Sequence, residues 1–155
     1  MQSNFRFCAL VLAISLSGCA QRMMPPPPPP NPNPQVSLEI RQSPTVVPGF
    51  LSTYGSNGQM YVYRFTGGKH GNLQFKNGNG AANIHITLIN SPNFAIKDVP
   101  IDGDPNHQLT AMVESNNKAH IQNKNTEELD AYYSVKVSDS NVADIYCDPG
   151  IINNR

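Results

Sequence analysis

Asn83-Ile84-His85-Ile86-Thr87-Leu88-Ile89 is the stretch that decides the fold class of this chain. Ile84, Ile86 and Leu88 fall on one side of an extended backbone, and His85, Thr87 and Ile89 on the other. That period of two belongs to a strand. Both sides carry apolar residues, which predicts a central strand rather than one with a solvated face.

Moving towards the N-terminus, Lys76-Asn77-Gly78-Asn79-Gly80 reads as a hairpin turn, because Asn-Gly steps readily take the positive-φ positions of tight turns. It lacks the Gly-Lys-Ser/Thr ending of a phosphate loop. Asn72 to Phe75 is the extended segment before it, entered through Gly67-Gly68 and Gly71. Met60 to Phe65 alternates Tyr61, Tyr63 and Phe65 against Met60, Val62 and Arg64. An aromatic row invites a ligand platform, but strands favour aromatics and small domains depend on burying them, so the row is expected to be core. Tyr54 to Gln59 reads as a turn. Pro44 and Pro48 confine Thr45-Val46-Val47 to an edge or a loop. Val36, Leu38 and Ile40, alternating with Ser37 and Glu39, open the folded part.

Towards the C-terminus, Ser91-Pro92 breaks the chain and Phe94 to Val99 resumes it. Asp102, Asp104 and Asn106 imitate the start of a calcium loop, but His107 stands where the glycine belongs and Val113 where the bidentate glutamate belongs, so an ordinary polar turn is expected. Gln108 to Val113 and His120 to Gln122 are extended. Thr126-Glu127-Glu128-Leu129 offers one helix-like turn at most. Tyr132 to Ser138 alternates Tyr133, Val135 and Val137 against Tyr132, Ser134 and Lys136, and Val142 to Tyr146 is the last full strand. About seven to eight short strands with turn signals between them predict an all-β, antiparallel β-sandwich over residues 36–155, with a small barrel as the alternative.

What precedes the sandwich specifies an address. Leu16-Ser17-Gly18-Cys19 closes the apolar run Phe7 to Leu16, which is too short to span a bilayer. A small-residue pair followed directly by cysteine resembles the processing site of bacterial lipoproteins. Residues 1–18 are then a cleaved signal peptide, and Cys19 the lipidated first residue of the mature chain. Plain secretion with cleavage near Ala20, or a buried N-terminal helix, are the alternatives. A single acyl chain anchors weakly, at roughly 0.8 kcal/mol per methylene, whereas the expected three hold permanently. Ala20, where an aspartate would mark inner-membrane retention, directs the expectation to the outer membrane. Pro25 to Pro30 and Asn31-Pro32-Asn33-Pro34 follow as an extended stalk, so that residues 19–35 form a lipidated linker reaching on the order of 50 Å at roughly 3.1 Å per residue.

The cysteines agree with export. Cys8 leaves with the signal, Cys19 takes lipid, and Cys147 remains alone, expected to be buried as a small hydrophobe, with pairing to another chain as the alternative. The charges balance at 11 basic and 11 acidic residues, so loss of Arg6 leaves a net charge of −1. No basic stripe exists to bind nucleic acid.

The tail, Ile145-Tyr146-Cys147-Asp148-Pro149-Gly150-Ile151-Ile152-Asn153, is similar to the closing motif of the small bacterial DP-EP family. Ile84 to Ile89 and Tyr133 to Val137 are arranged as in its C-terminal half. The resemblance implies a β-sandwich and carries no assigned activity. The anchor and stalk depart from that family's soluble form. Read on its own residues, Pro149 stops a strand, and Ile151 and Ile152 can pin the terminus to the core.

No catalytic elbow, zinc-helix pair, nucleotide fingerprint or cofactor motif occurs. His70, His85, His107 and His120 show no spacing of a base or a metal cage. The sequence therefore predicts a non-enzymatic, bilayer-anchored accessory domain that holds an envelope protein. A ligand module, for example for glycans, is the alternative, with Tyr54, Tyr132 and Asp148 as candidate contacts. The lack of tryptophan counts against sugar stacking.

Overall fold

The computed structural model describes residues 33–140 and 143–154, and for 150–154 the backbone only. The expected signal peptide, Leu16 to Cys19 and the run Pro25 to Pro30 lie outside the described residues. Within them the chain is all-β, with no helix. In chain order the strands are β1 (Gln35–Gln42), β2 (Leu51–Tyr54), β3 (Met60–Thr66), β4 (Leu73–Lys76), β5 (Ala82–Leu88), β6 (Phe94–Asp98), β7 (Ile101–Asp102), β8 (Leu109–Ser115), β9 (Lys118–Asn123), β10 (Leu129–Tyr133), β11 (Val135–Asp139), β12 (Asp144–Cys147) and β13 (Gly150–Asn154).

Three sheets build the sandwich. A six-stranded sheet in the order β2-β3-β1-β5-β9-β8 forms one layer. Sheets ordered β4-β13-β10-β7 and β12-β11-β6 face it across one core cluster and do not close into a barrel. As expected, β5 is central, hydrogen-bonded to β1 on one side and β9 on the other. Most pairs are antiparallel, but β1 with β5 and β13 with β4 are parallel. Ile84, Ile86 and Leu88 point into the core with Val36, Leu38 and Ile40. The aromatic row of β3 is core: Tyr61 meets Phe94 edge-on at 6.2 Å, and Phe65 meets Tyr133 at 6.5 Å, each pair tying the two layers together.

Among the described residues thirteen strands form where seven to eight were expected, and β13 follows the segment expected to be the last strand, because sheet changes and edges split the chain into shorter pieces. Four further details correct the reading from sequence. Tyr54 ends a strand rather than beginning a turn, and β2 itself has no counterpart among the expected elements. Lys76 to Gly80 does turn, with Gly78 and Gly80 at φ 79° and 89°, but it is no hairpin, because β4 and β5 belong to different layers. The helix-like turn at Thr126 is absent, and Leu129 starts β10. Tyr132 to Ser138 is two strands in two sheets. The break falls at Ser134, whose N–H donates to Pro100 O at 2.9 Å, opposite the matching break between β6 and β7. Val62, on the face opposite the aromatics, is also buried. On that face the Arg41 and Arg64 guanidinium groups both meet the Phe50 ring, each 4.7 Å from its centre. Both attractions are cation–π in kind.

Gly71 allows the layers to close at the C-terminal end. Its φ is 87°, and a Cβ there would lie 2.8 Å from Phe65 and 2.9 Å from Pro149. Tyr133 Oη donates to its carbonyl at 3.0 Å. Cys147 is fully buried, as expected, with no disulfide among the described residues, and burial pushes its thiol well above the usual range.

Candidate functional site

Tyr132 and Asp148 come together, and Tyr54 stands apart from them. Alternation along β10 buries Ala131 and Tyr133 and turns Tyr132 outward, where it is 61% exposed. Tyr132 borders two clefts. The larger, about 610 Å³, runs from Lys69 and Asn72 to Asp130 and Tyr132. Its walls are β4 and β10, so it straddles β13, which pairs with both. The smaller, about 340 Å³, is bounded by Pro100, Ile101, Tyr132, Ser134 and Asp148. The Asp148 carboxylate is exposed at its mouth, and the Asp148 N–H points to Tyr63 Oη at 3.4 Å. Burial raises the Tyr63 pKa. Lys69, Asp130, Asp102 and Asp148 are the charged groups bordering the two clefts. A small polar or sugar-like ligand could be gripped there by one phenol and these charges.

Tyr54 lies at the end of β2, the edge of the six-stranded sheet. Among the described residues, β2 hydrogen-bonds as a strand to β3 alone. Leu51 shares the face of Tyr63, and Tyr54 that of Met60. Leu51 is 55% and Tyr54 71% exposed, and Val46 in the preceding loop is also exposed. An edge of free backbone groups flanked by apolar side chains on both faces is a template for a further strand. The neighbouring corner is fixed: Ser56 N–H donates to Asp144 O at 2.9 Å, and Asp144 N–H donates to Ser56 Oγ at 3.0 Å.

The loop that imitates a calcium site is used for structure. The Asp104 oxygens accept the Gln108 and Leu109 N–H groups, each at 2.8 Å, Asp102 accepts from Gly103, and Asn106 donates to Glu127. Among the described residues, no three His, Cys, Asp or Glu side chains converge as a metal centre. The histidines are not all scattered, however. His85 and His120 are directly opposed on β5 and β9, with ring centres 6.4 Å apart. Their 35-residue separation carries no signal in the sequence, since only the register of the two strands unites them.

No protein-family model and no curated protein matches the chain. The fold defines an all-β sandwich.

Proposed function

We infer that this protein is a lipid-anchored accessory protein of the bacterial envelope, held to the outer membrane through Cys19 and binding a protein partner by strand addition at β2. The signal-like run ending at Leu16-Ser17-Gly18-Cys19 and the proline stalk support the anchor. The observation that carries the binding mode is the free edge of β2, with Leu51 and Tyr54 exposed on opposite faces. A partner strand with apolar residues at alternate positions would extend the sheet by main-chain hydrogen bonds and cover both side chains. Nothing in the charge distribution favours nucleic acid.

Crosslinking in intact cells, with identification of the co-purified proteins, tests this reading. The anchored chain should recover one envelope protein above background. A Leu51→Lys/Tyr54→Lys variant should lose it while remaining in the membrane fraction, because charge on an edge strand blocks pairing. Equal recovery by the variant overturns the β2 edge as the docking element.

A second reading rests on a different observation, the meeting of Tyr132 and Asp148 at one cleft. It makes the domain a ligand module for a small polar or sugar-like molecule. Glycan-array binding that disappears with Tyr132→Ala and survives Leu51→Lys/Tyr54→Lys would favour it over the partner strand.

A further inference from the structure

Three adjacent strands place three soft or borderline donors in one row on the solvent side of the six-stranded sheet. His85 on β5 is in register with His120 on β9, and His120 is in register with Met112 on β8. Directly opposed residues in antiparallel pairs share a face, with Cα atoms about 4.5–5.5 Å apart. The row therefore runs His85, His120, Met112 across neighbouring strands, opposite the side of the sheet that buries Ile84 and Ile121 and half-buries Ala111. Met112 is 57% exposed, an unusual setting for a large thioether with no core to fill.

His120 is prepared for ligation. The His120 Nδ1 nitrogen lies 2.8 Å from Glu114 Oε1. An ionised carboxylate only accepts, so Nδ1 carries a hydrogen and Nε2 is the nitrogen turned away from Glu114 and left to meet a metal. A carboxylate that fixes tautomer and ring orientation is the usual outer-shell partner of a metal-bound histidine. Glu114 reaches that position through a bulge. Met112 and Val113 pair with His120 and Ala119, the register then shifts, and Ser115 pairs with Lys118, leaving Glu114 as the extra residue. Bulges re-aim side chains in this way beside functional sites. The ring centres of His85 and His120, 6.4 Å apart, already stand near the roughly 6 Å expected of two imidazoles facing one ion at about 2.0–2.1 Å from each nitrogen.

We propose that His85, His120 and Met112 form a surface site for a cuprous ion, with Glu114 as the positioning residue for His120. Two imidazoles alone would suit zinc as well as copper, whereas the thioether selects the soft monovalent ion and offers nothing to calcium or magnesium. β8 is the sheet's edge strand, so the site is open to delivery of the ion from a carrier or from solution.

The test is a titration of the full-length chain carrying Cys8→Ser and Cys19→Ser, under anaerobic reducing conditions, against a chromophoric chelator of cuprous ion. One equivalent of copper should bind. His85→Gln, His120→Gln and Met112→Leu should each weaken binding at least about tenfold, and Glu114→Gln by about tenfold, the effect of removing an outer-shell partner. Met112→Leu should leave zinc affinity within about twofold, since zinc takes nitrogen and thiolate rather than thioether. Lys118→Gln, on the same face, should change nothing. Unaltered circular dichroism and thermal midpoint in all variants show that the fold is intact. Absence of stoichiometric binding overturns the site, as does binding that persists in the His85→Gln/His120→Gln double variant, which would place the ion elsewhere in the chain. Equal response of zinc and copper to Met112→Leu overturns the copper selectivity.

Discussion

The Tyr61 phenol donates a 2.6 Å hydrogen bond to Asp139 Oδ2, joining strand β3 of the large sheet to the end of β11 in the opposite layer. Asn57 Nδ2 donates to the same phenol oxygen at 3.0 Å, and Asp139 Oδ1 accepts the Ala143 N–H at 3.0 Å. One side chain thus closes the β2–β3 turn, while its partner holds the chain entering β12. Tyr61→Phe keeps the ring in its edge-on contact with Phe94 and removes only the bond. Hydrogen bonds to charged groups contribute about 1.5–3 kcal/mol, so the variant should lose about 2 kcal/mol in urea unfolding. Asp139→Asn, which retains an acceptor, should lose less. A loss below about 0.5 kcal/mol in Tyr61→Phe would show that the layers are held by packing alone.

Ser91 performs a comparable task inside the sheet. Its Oγ is buried and accepts the Ile40 N–H at 3.0 Å, while its hydroxyl hydrogen lies between Ile89 O at 2.7 Å and Ile40 O at 3.0 Å. The strand partnership of β1 with β5 ends here, and the hydroxyl supplies the bonds a further β5 residue would have made. Ser91→Ala leaves a buried donor without a partner, at a cost of about 1–3 kcal/mol. The loss should appear as a lower urea midpoint with an unchanged m-value.

The inward faces of β1, β3, β5, β8, β10 and β11 were legible in the sequence, because alternation reports which side meets the core. It does not report which sheet a strand joins. Tyr133, Val135 and Val137 keep one inward rhythm through Ser134 although the chain changes sheets there, so one expected strand is two. The same blindness made a hairpin of Lys76 to Gly80, where the turn chemistry is correct but the flanking strands separate. β2 escaped notice because Leu51-Ser52-Thr53-Tyr54 lies at an edge, where neither face needs to be apolar. The parallel pairing of β13 with β4 joins segments far apart in the chain, and no local pattern encodes it. Tyr132 and Asp148 were identifiable as exposed contacts beside strand ends. The row His85, His120, Met112 was not, since its members are neighbours only through register.

Burial of Cys147 and Tyr133, and to a lesser degree of Tyr61 and Tyr63, raises the pKa of each above its ordinary value, 9.0 for the thiol and 10.0 for the phenols. Above those values the unfolded chain has lost protons that the folded chain keeps. The unfolded state then binds fewer protons, so stability is whole below pH 9 and falls as pH rises, by about 1.4 kcal/mol per pH unit for each group. Urea midpoints should be flat from pH 7 to about 9 and decline above it, and Cys147→Ala should delay the onset towards the phenol range. A thiol-reactive chromogen at pH 7.5 should leave Cys147 untouched in the folded Cys8→Ser/Cys19→Ser chain and label it fully in guanidinium. Rapid labelling of the folded chain would contradict the burial.

The anchor can be separated from the domain. If Cys19 carries lipid, Cys19→Ser should move the protein from the membrane fraction to the soluble periplasmic fraction and abolish incorporation of labelled fatty acid. The domain should be unaffected, because β1 begins at Gln35, sixteen residues after the anchor and beyond the proline run. Circular dichroism and urea midpoint of the released protein should match those of the anchored protein extracted in detergent. The stalk makes a second, graded expectation: deleting Pro25 to Pro30 shortens the reach by about 19 Å at roughly 3.1 Å per residue. Membrane retention should persist, while accessibility of the domain to a bulky protease or antibody at the bilayer surface falls. Retention and fatty-acid labelling unchanged in Cys19→Ser would rule out Cys19 as the point of attachment.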